Sequence, residues 1–249
     1  MQAKKLKIAS IIVTYNRVKE AKAQMDIIRE LWQPRFESID IYHEFNGRRN
    51  WYREKYKEDF LHYHKKMAHF FGAGYMLNQG IHHVLTSSKK YDYIIVTSAD
   101  TWFYDPIKLK RMILTCHKKK IQLTTSLWMG IVLGTEFFII TPELAKKVFP
   151  IKFIHTINKY QFINWVRPGK IALFETLFTL RVMRVLKNPN KIYLIPGRRT
   201  VWPRNRYWSA NFYASHHDRA QRKKDILPQI HNVLGSRIEK MPSLIRFLA

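Results

Sequence analysis

The sequence predicts an α/β domain: an open, mostly parallel central sheet flanked by helices, followed by a basic C-terminal extension. Three observations carry this reading. Short β-branched apolar runs alternate with segments of helical spacing. Their order, strand, helix, strand, helix, strand, calls for right-handed crossovers between parallel strands. From Gly197 onward the composition changes to a region dense in Arg and Trp. The expected organisation is one domain over residues 1–197, with residues 198–249 packed on it or continuing it.

The elements follow in order. Lys7–Thr14 (KIASIIVT) is an apolar run ending in a polar turn, as a fully buried strand requires. In Val18–Leu31, residues Val18, Ala21, Met25, Ile28 and Leu31 share one helical face. Ile39–Phe45 is a second strand, stopped by the turn signal Asn46-Gly47. Arg48–Tyr63 is basic and aromatic and fits neither period. Lys66–Val84 reads as a helix despite glycines at 72, 74 and 80, and Tyr91–Thr97 as a buried strand ending at Ser98-Ala99-Asp100. A helix over Ile107–Lys119 leads to strand-like stretches at Ile121–Thr125 and Glu136–Thr141. Pro142 then starts a helix over Glu143–Val148. Leu173–Val185 is helical and Ile192–Ile195 is a strand.

Composition narrows the classes. The 249 residues hold 44 Lys+Arg against 18 Asp+Glu, a formal charge of +26, while 46% apolar and 14% aromatic residues exclude intrinsic disorder. The longest apolar run, Ile131–Ile140, is too short to span a bilayer and contains Glu136. Lys4, Lys5 and Lys7 precede a short apolar run that leads into Thr-Tyr-Asn-Arg, so this is a strand and not a signal peptide. A single cysteine, Cys116, excludes an intramolecular disulfide and fits a cytoplasmic protein. The charge either attracts polyanions (nucleic acid, anionic lipid, phosphorylated substrates) or belongs to a solvated lysine-rich surface. No helix-turn-helix, RNP or zinc pattern accompanies it, so nucleic acid is not the expected partner.

Ligands of open α/β sheets bind outside the carboxyl ends of the strands. Here those ends are Thr14–Arg17, Glu44–Gly47 and Ser98–Thr101. The first offers backbone N–H groups, an aromatic face and a cation to a nucleotide, or is a polar strand-to-helix turn. The glycines around Asn78 mark either a ligand approached by backbone or tight helix–sheet packing. Asp100 can hold a hard divalent cation against phosphates, or cap a helix.

Taken in order, these segments resemble the family 2 glycosyltransferases and the wider Rossmann-like GT-A fold. The matches are Ile11-Ile-Val-Thr-Tyr-Asn-Arg17, Asn46-Gly47, Gly72 with Asn78-x-Gly80-Ile81, Tyr91-Asp-Tyr-Ile-Ile-Val with Asp100, and Phe174-Glu175 with Arg181, covering about residues 7–185. The resemblance implies transfer of a sugar from a nucleotide diphosphate. By this similarity Thr14, Tyr15 and Arg17 lie beside the nucleotide, with Asn46 and Asn78 near its base or ribose. Phe45 stands where the family usually has an aspartate, and Glu44 is the expected substitute. Asp100 is the surviving aspartate of the D-x-D element, with Ser98 at its first position, and binds Mg²⁺ or Mn²⁺ with the diphosphate. His216, or else His217, is the expected second metal ligand. Glu175 is the expected catalytic base, although Thr176 replaces a second acid often found there; inversion is the family's usual outcome.

The charge adds the expectation of an anionic acceptor, a phosphorylated or lipid-linked glycan, handled on the cytoplasmic face of a membrane. The cluster Arg198, Arg199, Trp202, Arg204, Arg206 and Trp208 suits phosphates and sugars, or is a solvated loop. Leu244, Ile245, Phe247 and Leu248, beside Arg237, Lys240 and Arg246, either lie in an anionic membrane surface or dock on the domain. The other readings are a nucleic-acid-binding protein and a GT-A-shaped protein without catalysis.

Overall fold

The computed structural model describes residues 6–67, 69–99, 101–128, 132–151, 173–199, 213–214 and 234–248. In its first strand, β1 (Lys7–Thr14), every residue but Lys7 is buried. A strand apolar on both faces needs helices on both sides. It pairs in parallel with β2 (Ser38–Phe45) on one side and β4 (Tyr93–Ser98) on the other. β3 (Phe60–Tyr63) extends the parallel block beyond β2. The segment Arg48–Tyr63, which has no readable period, thus forms a 3₁₀ turn at Arg49–Trp51 and this edge strand.

Three further strands, β6 (Leu123–Trp128), β7 (Val132–Ile140) and β8 (Ile192–Arg199), complete a seven-stranded sheet of order β3-β2-β1-β4-β7-β6-β8. β7 runs antiparallel to both β4 and β6, whereas β6 and β8 are parallel. The expected mostly parallel sheet is therefore present with one reversed strand. The short link from β6 to β7 leaves no room for a crossover, so the chain turns back. A separate ribbon pairs β5 (Trp102–Phe103) with β9 (Tyr213–Ala214).

Side chains alternate along β1, and with them the core divides in two. Ile8 and Ile12 face α1 (Val18–Ile27) and α3 (Pro106–Lys118), meeting Met25, Leu109 and Ile113. Ala9, Ile11 and Val13 face α2 (His69–Thr86), α4 (Pro142–Val148) and α5 (Leu173–Val185), meeting Leu77, Val148 and Phe178. α1 continues as a π turn over Ile28–Trp32, so its apolar face runs on through Leu31 as the spacing predicts. Asp105 caps α3, accepting from the N–H of Ile107 and of Lys108 at 3.0 Å each, with Pro106 in the first turn.

The glycines of α2 let it lie close to the sheet. A Cβ on Gly80 would come within 2.7 Å of Ile11 Cγ2 and 3.0 Å of Glu44 Cγ, and one on Gly72 within 2.2 Å of Asn46 Nδ2. Close packing of helix on sheet is what these positions require.

A final helix, α6 (Pro242–Leu248), docks on α1. Asp26 of α1 is fully buried, and its Oδ2 accepts from the N–H of Ser243 at 2.7 Å and of Leu244 at 3.3 Å. Its Oδ1 accepts from Tyr56 Oη at 2.8 Å and pairs with Lys57 Nζ at 2.7 Å. Leu244 is buried, and Phe247 meets Trp102 edge to face at 4.9 Å. Of the two readings for the apolar residues here, Leu244 and Phe247 take docking. Among the described residues no helix is long and apolar enough to cross a membrane.

Two stability outcomes follow from these contacts. Gly80→Ala overpacks the α2–sheet contact and should cost about 1–3 kcal/mol, read as a lower urea midpoint with an unchanged m-value. Asp26→Ala strips a buried carboxylate from four donors and should cost about 3–5 kcal/mol, measured in the same titration.

Candidate functional site

The carboxyl ends of β1, β2 and β4 finish level. Thr14 sits opposite Phe45, and Val13 opposite Ser98. Each ladder runs one residue further: Asn46 N–H donates to Thr14 O and Ala99 N–H to Val13 O, both at 3.1 Å. Tyr15, Asn46–Gly47 and Ala99 therefore emerge along one edge. Gly47 packs so tightly that a Cβ would lie 2.2 Å from Tyr15 O. Arg17 follows at the N-cap of α1, 3.5 Å from Glu20.

The intervening loop adds residues with no sequence period to announce them. Trp51, more than a third exposed, meets Tyr15 edge to face at 6.1 Å, and the Arg48 guanidinium lies 5.4 Å from the Trp51 ring centre. Aromatic faces and a cation thus flank the strand ends.

Beneath them the Thr14 hydroxyl is buried and hydrogen-bonded to His43 Nε2 at 3.1 Å. Glu58 stands 3.8 Å behind His43 and accepts from the Tyr52 hydroxyl through both oxygens, at 3.1 and 3.0 Å. Burial pushes the Glu58 carboxyl up, but His43 and nearby backbone amides outweigh it and hold it below its ordinary value. Thr14 is thus anchored in a buried polar chain, leaving its neighbour Tyr15 to face outward.

Asn46 is buried, and its Oδ1 has no hydrogen-bond partner among the described residues. Asn78 differs: its Nδ2 donates to Ile151 O at 3.0 Å and its Oδ1 accepts from Ile151 N–H at 2.9 Å. Both ends of that amide tie α2 to the segment after α4. Glu44 also turns to the α2 side. Fully buried, it accepts from His62 Nδ1 at 2.9 Å, His83 Nδ1 at 3.0 Å and His64 Nε2 at 2.5 Å. Burial pushes this carboxyl up, yet the three imidazoles outweigh it and hold it well below the usual carboxylate range. The structure therefore gathers Thr14, Tyr15, Arg17 and Asn46, and turns Glu44 towards the three histidines and Asn78 towards Ile151. Asp100 and His216 lie outside the described residues, as do His217, Trp202, Arg204, Arg206, Trp208 and the side chains of Arg198 and Arg199.

Glu175 opens the first turn of α5 and its Oε1 accepts from the Thr135 hydroxyl at 2.7 Å. In β7, Phe137 sits opposite Thr97 of β4, so Thr135 lies beyond the end of β4, on the edge that carries Tyr15 and Asn46. Burial pushes the Glu175 carboxyl up, Thr135 and the helix backbone partly offset this, and the charge of Glu136 raises it further. A carboxyl raised this way holds its proton more tightly than an exposed one. Glu136 was legible as an acid inside an apolar run, but nothing in the sequence ties it to Glu175.

No protein-family model matches the chain, and no curated protein sequence does. Solved structures do. The chain is similar to the mannosyltransferase PcManGT from Pyrobaculum calidifontis in complex with GDP-Man and Mn²⁺, with a TM-score of 0.53 and 10% identity, over 98% of this chain and 74% of that one. It is also similar to TarS of S. aureus, with a TM-score of 0.48 and 15% identity, over 98% of this chain and 50% of that one. The chain thus spans three-quarters of the first structure and half of the second. The fold is the mixed α/β fold of the glycosyltransferases, a GT-A-like seven-stranded sheet between helices.

Proposed function

We propose that the protein is a glycosyltransferase that moves a sugar from a nucleotide-diphosphate donor to an anionic glycan or lipid-linked acceptor, with inversion. One observation supports this most directly. Tyr15, Asn46, the chain leading into Asp100, and Glu175 share a single edge of a GT-A-like sheet. The unpartnered Asn46 Oδ1 is an acceptor for an N–H or hydroxyl of the nucleoside. Tyr15 and Trp51 offer ring faces to base or sugar, and Arg48 and Arg17 offer charge to the diphosphate.

Asp100, the residue after Ala99 in the sequence, and His216 would supply a carboxylate and an imidazole to a divalent ion. Mg²⁺ or Mn²⁺ held there would offset charge on the departing diphosphate. Glu175 removes the proton of the acceptor hydroxyl as its oxygen bonds to the anomeric carbon and the bond from that carbon to the diphosphate breaks.

The acceptor class rests on charge. A basic groove bounded by Arg35, Lys110, Arg111 and Lys118 runs along α3, within a chain of net +26. Such a surface suits phosphorylated acceptors and the anionic cytoplasmic face of a membrane.

Nucleotide diphosphates and their sugars, each with and without Mn²⁺, should raise the melting temperature, and product should form with a suitable acceptor. Asp100→Ala should abolish donor stabilisation. Glu175→Gln should keep it while lowering kcat about 10²–10⁴-fold. In the wild type, Glu175 acts only when ionised. Because its carboxyl is raised, kcat should fall as pH drops through an apparent value above the ordinary 4.5, and Glu175→Gln should remove that limb. Unchanged turnover in both variants would refute the assignment.

A further inference from the structure

We infer that Glu44, His62 and His83 form a binding site for a divalent transition-metal ion of the zinc type, on the α2 side of the sheet. The three ligand atoms, one carboxylate oxygen and two imidazole nitrogens, all lie within 4.8 Å of one another. Glu44 Oε1 is 2.9 Å from His62 Nδ1 and 3.0 Å from His83 Nδ1. Bonds of about 2.0–2.2 Å to a tetrahedral zinc put its ligand atoms roughly 3.3 Å apart, so small side-chain shifts suffice.

The fold brings the set together from three elements. Glu44 and His62 are direct neighbours across the β2–β3 ladder. The bare backbone of Gly80 lets α2 settle against Glu44, and His83 follows one turn later on the same face. The rings of His62 and His83 lie tilted at 31° with centroids 3.8 Å apart, both with Nδ1 towards the carboxylate. His64 Nε2 holds the other oxygen, Glu44 Oε2, at 2.5 Å, the position of an outer partner that orients a ligating carboxylate.

Chemistry selects the ion. Two imidazoles and one carboxylate suit zinc and its transition-metal neighbours, whereas Mg²⁺ and Mn²⁺ favour all-oxygen sets. The side chains of His62 and His83 are 30% and 27% exposed, which gives an ion access and leaves a fourth position to water. Bound there, the ion pins edge strand β3 and helix α2 to β2, two residues before Asn46.

The test uses untagged full-length protein, stripped with chelator and titrated with Zn²⁺ alone, no nucleotide being present. About one equivalent should be retained after desalting, and the melting temperature should rise with Zn²⁺ but not with equal Mg²⁺. Co²⁺ should give the visible absorption of a four-coordinate site. His62→Ala and His83→Ala should lose the Zn²⁺ response, His64→Ala should weaken it about 10–100-fold, and His82→Ala, an exposed neighbour outside the set, should keep it. Far-UV circular dichroism confirms that each variant is folded. Wild-type protein that retains no zinc and shows no thermal response overturns the inference, whatever the variants do. So does a response undiminished in folded His62→Ala and His83→Ala. Neither result bears on donor binding at Asp100, which the nucleotide titration reads separately.

Discussion

The ladder that holds β1 between β2 and β4 is the constraint on which the site depends. Its registers bring three strand ends to the same height, and one further backbone hydrogen bond on each side carries that alignment into the loops. A slip of one residue in either pairing would turn every side chain of a strand to the opposite face. Two different cores pack against β1, so such a slip would mismatch the packing on both sides at once. The outward-facing residues need little positioning of their own, because the sheet supplies it.

Two glutamates show how environment assigns roles to one side-chain type. Both are withdrawn from water, which raises a carboxyl. Glu44 meets three imidazoles and is driven the other way, while Glu175 has a neutral threonine and a neighbouring acid, and stays raised. A carboxylate kept ionised serves as a fixed negative centre for cations. One poised to change protonation serves proton transfer.

Much of this was legible in the amino-acid order. β-branched runs located β1, β2 and β4, and the helix Leu173–Val185 appears with the predicted bounds. The reversal of β7 was not legible, because a buried antiparallel strand between apolar layers has the same composition as a parallel one. β3 was hidden because an edge strand four residues long, half-buried throughout, carries no alternation to detect. With β3 went His62 and His64, whose neighbours are set by sheet pairing and not by sequence distance. Asn78 shows the converse limit: a residue type suited to a ligand can be engaged by the fold, as Ile151 engages it.

Asp26 binds together parts of the chain made at very different times. Its partners Tyr56 and Lys57 follow within about thirty positions, but the amides that complete its shell belong to residues more than two hundred positions later. As the polypeptide leaves the ribosome, α1 must wait with its carboxylate incompletely covered until residues 243 and 244 arrive. Closure over so long a span is slow relative to local helix formation. The final surroundings of α1 are therefore complete only once residues 243 and 244 have docked on it.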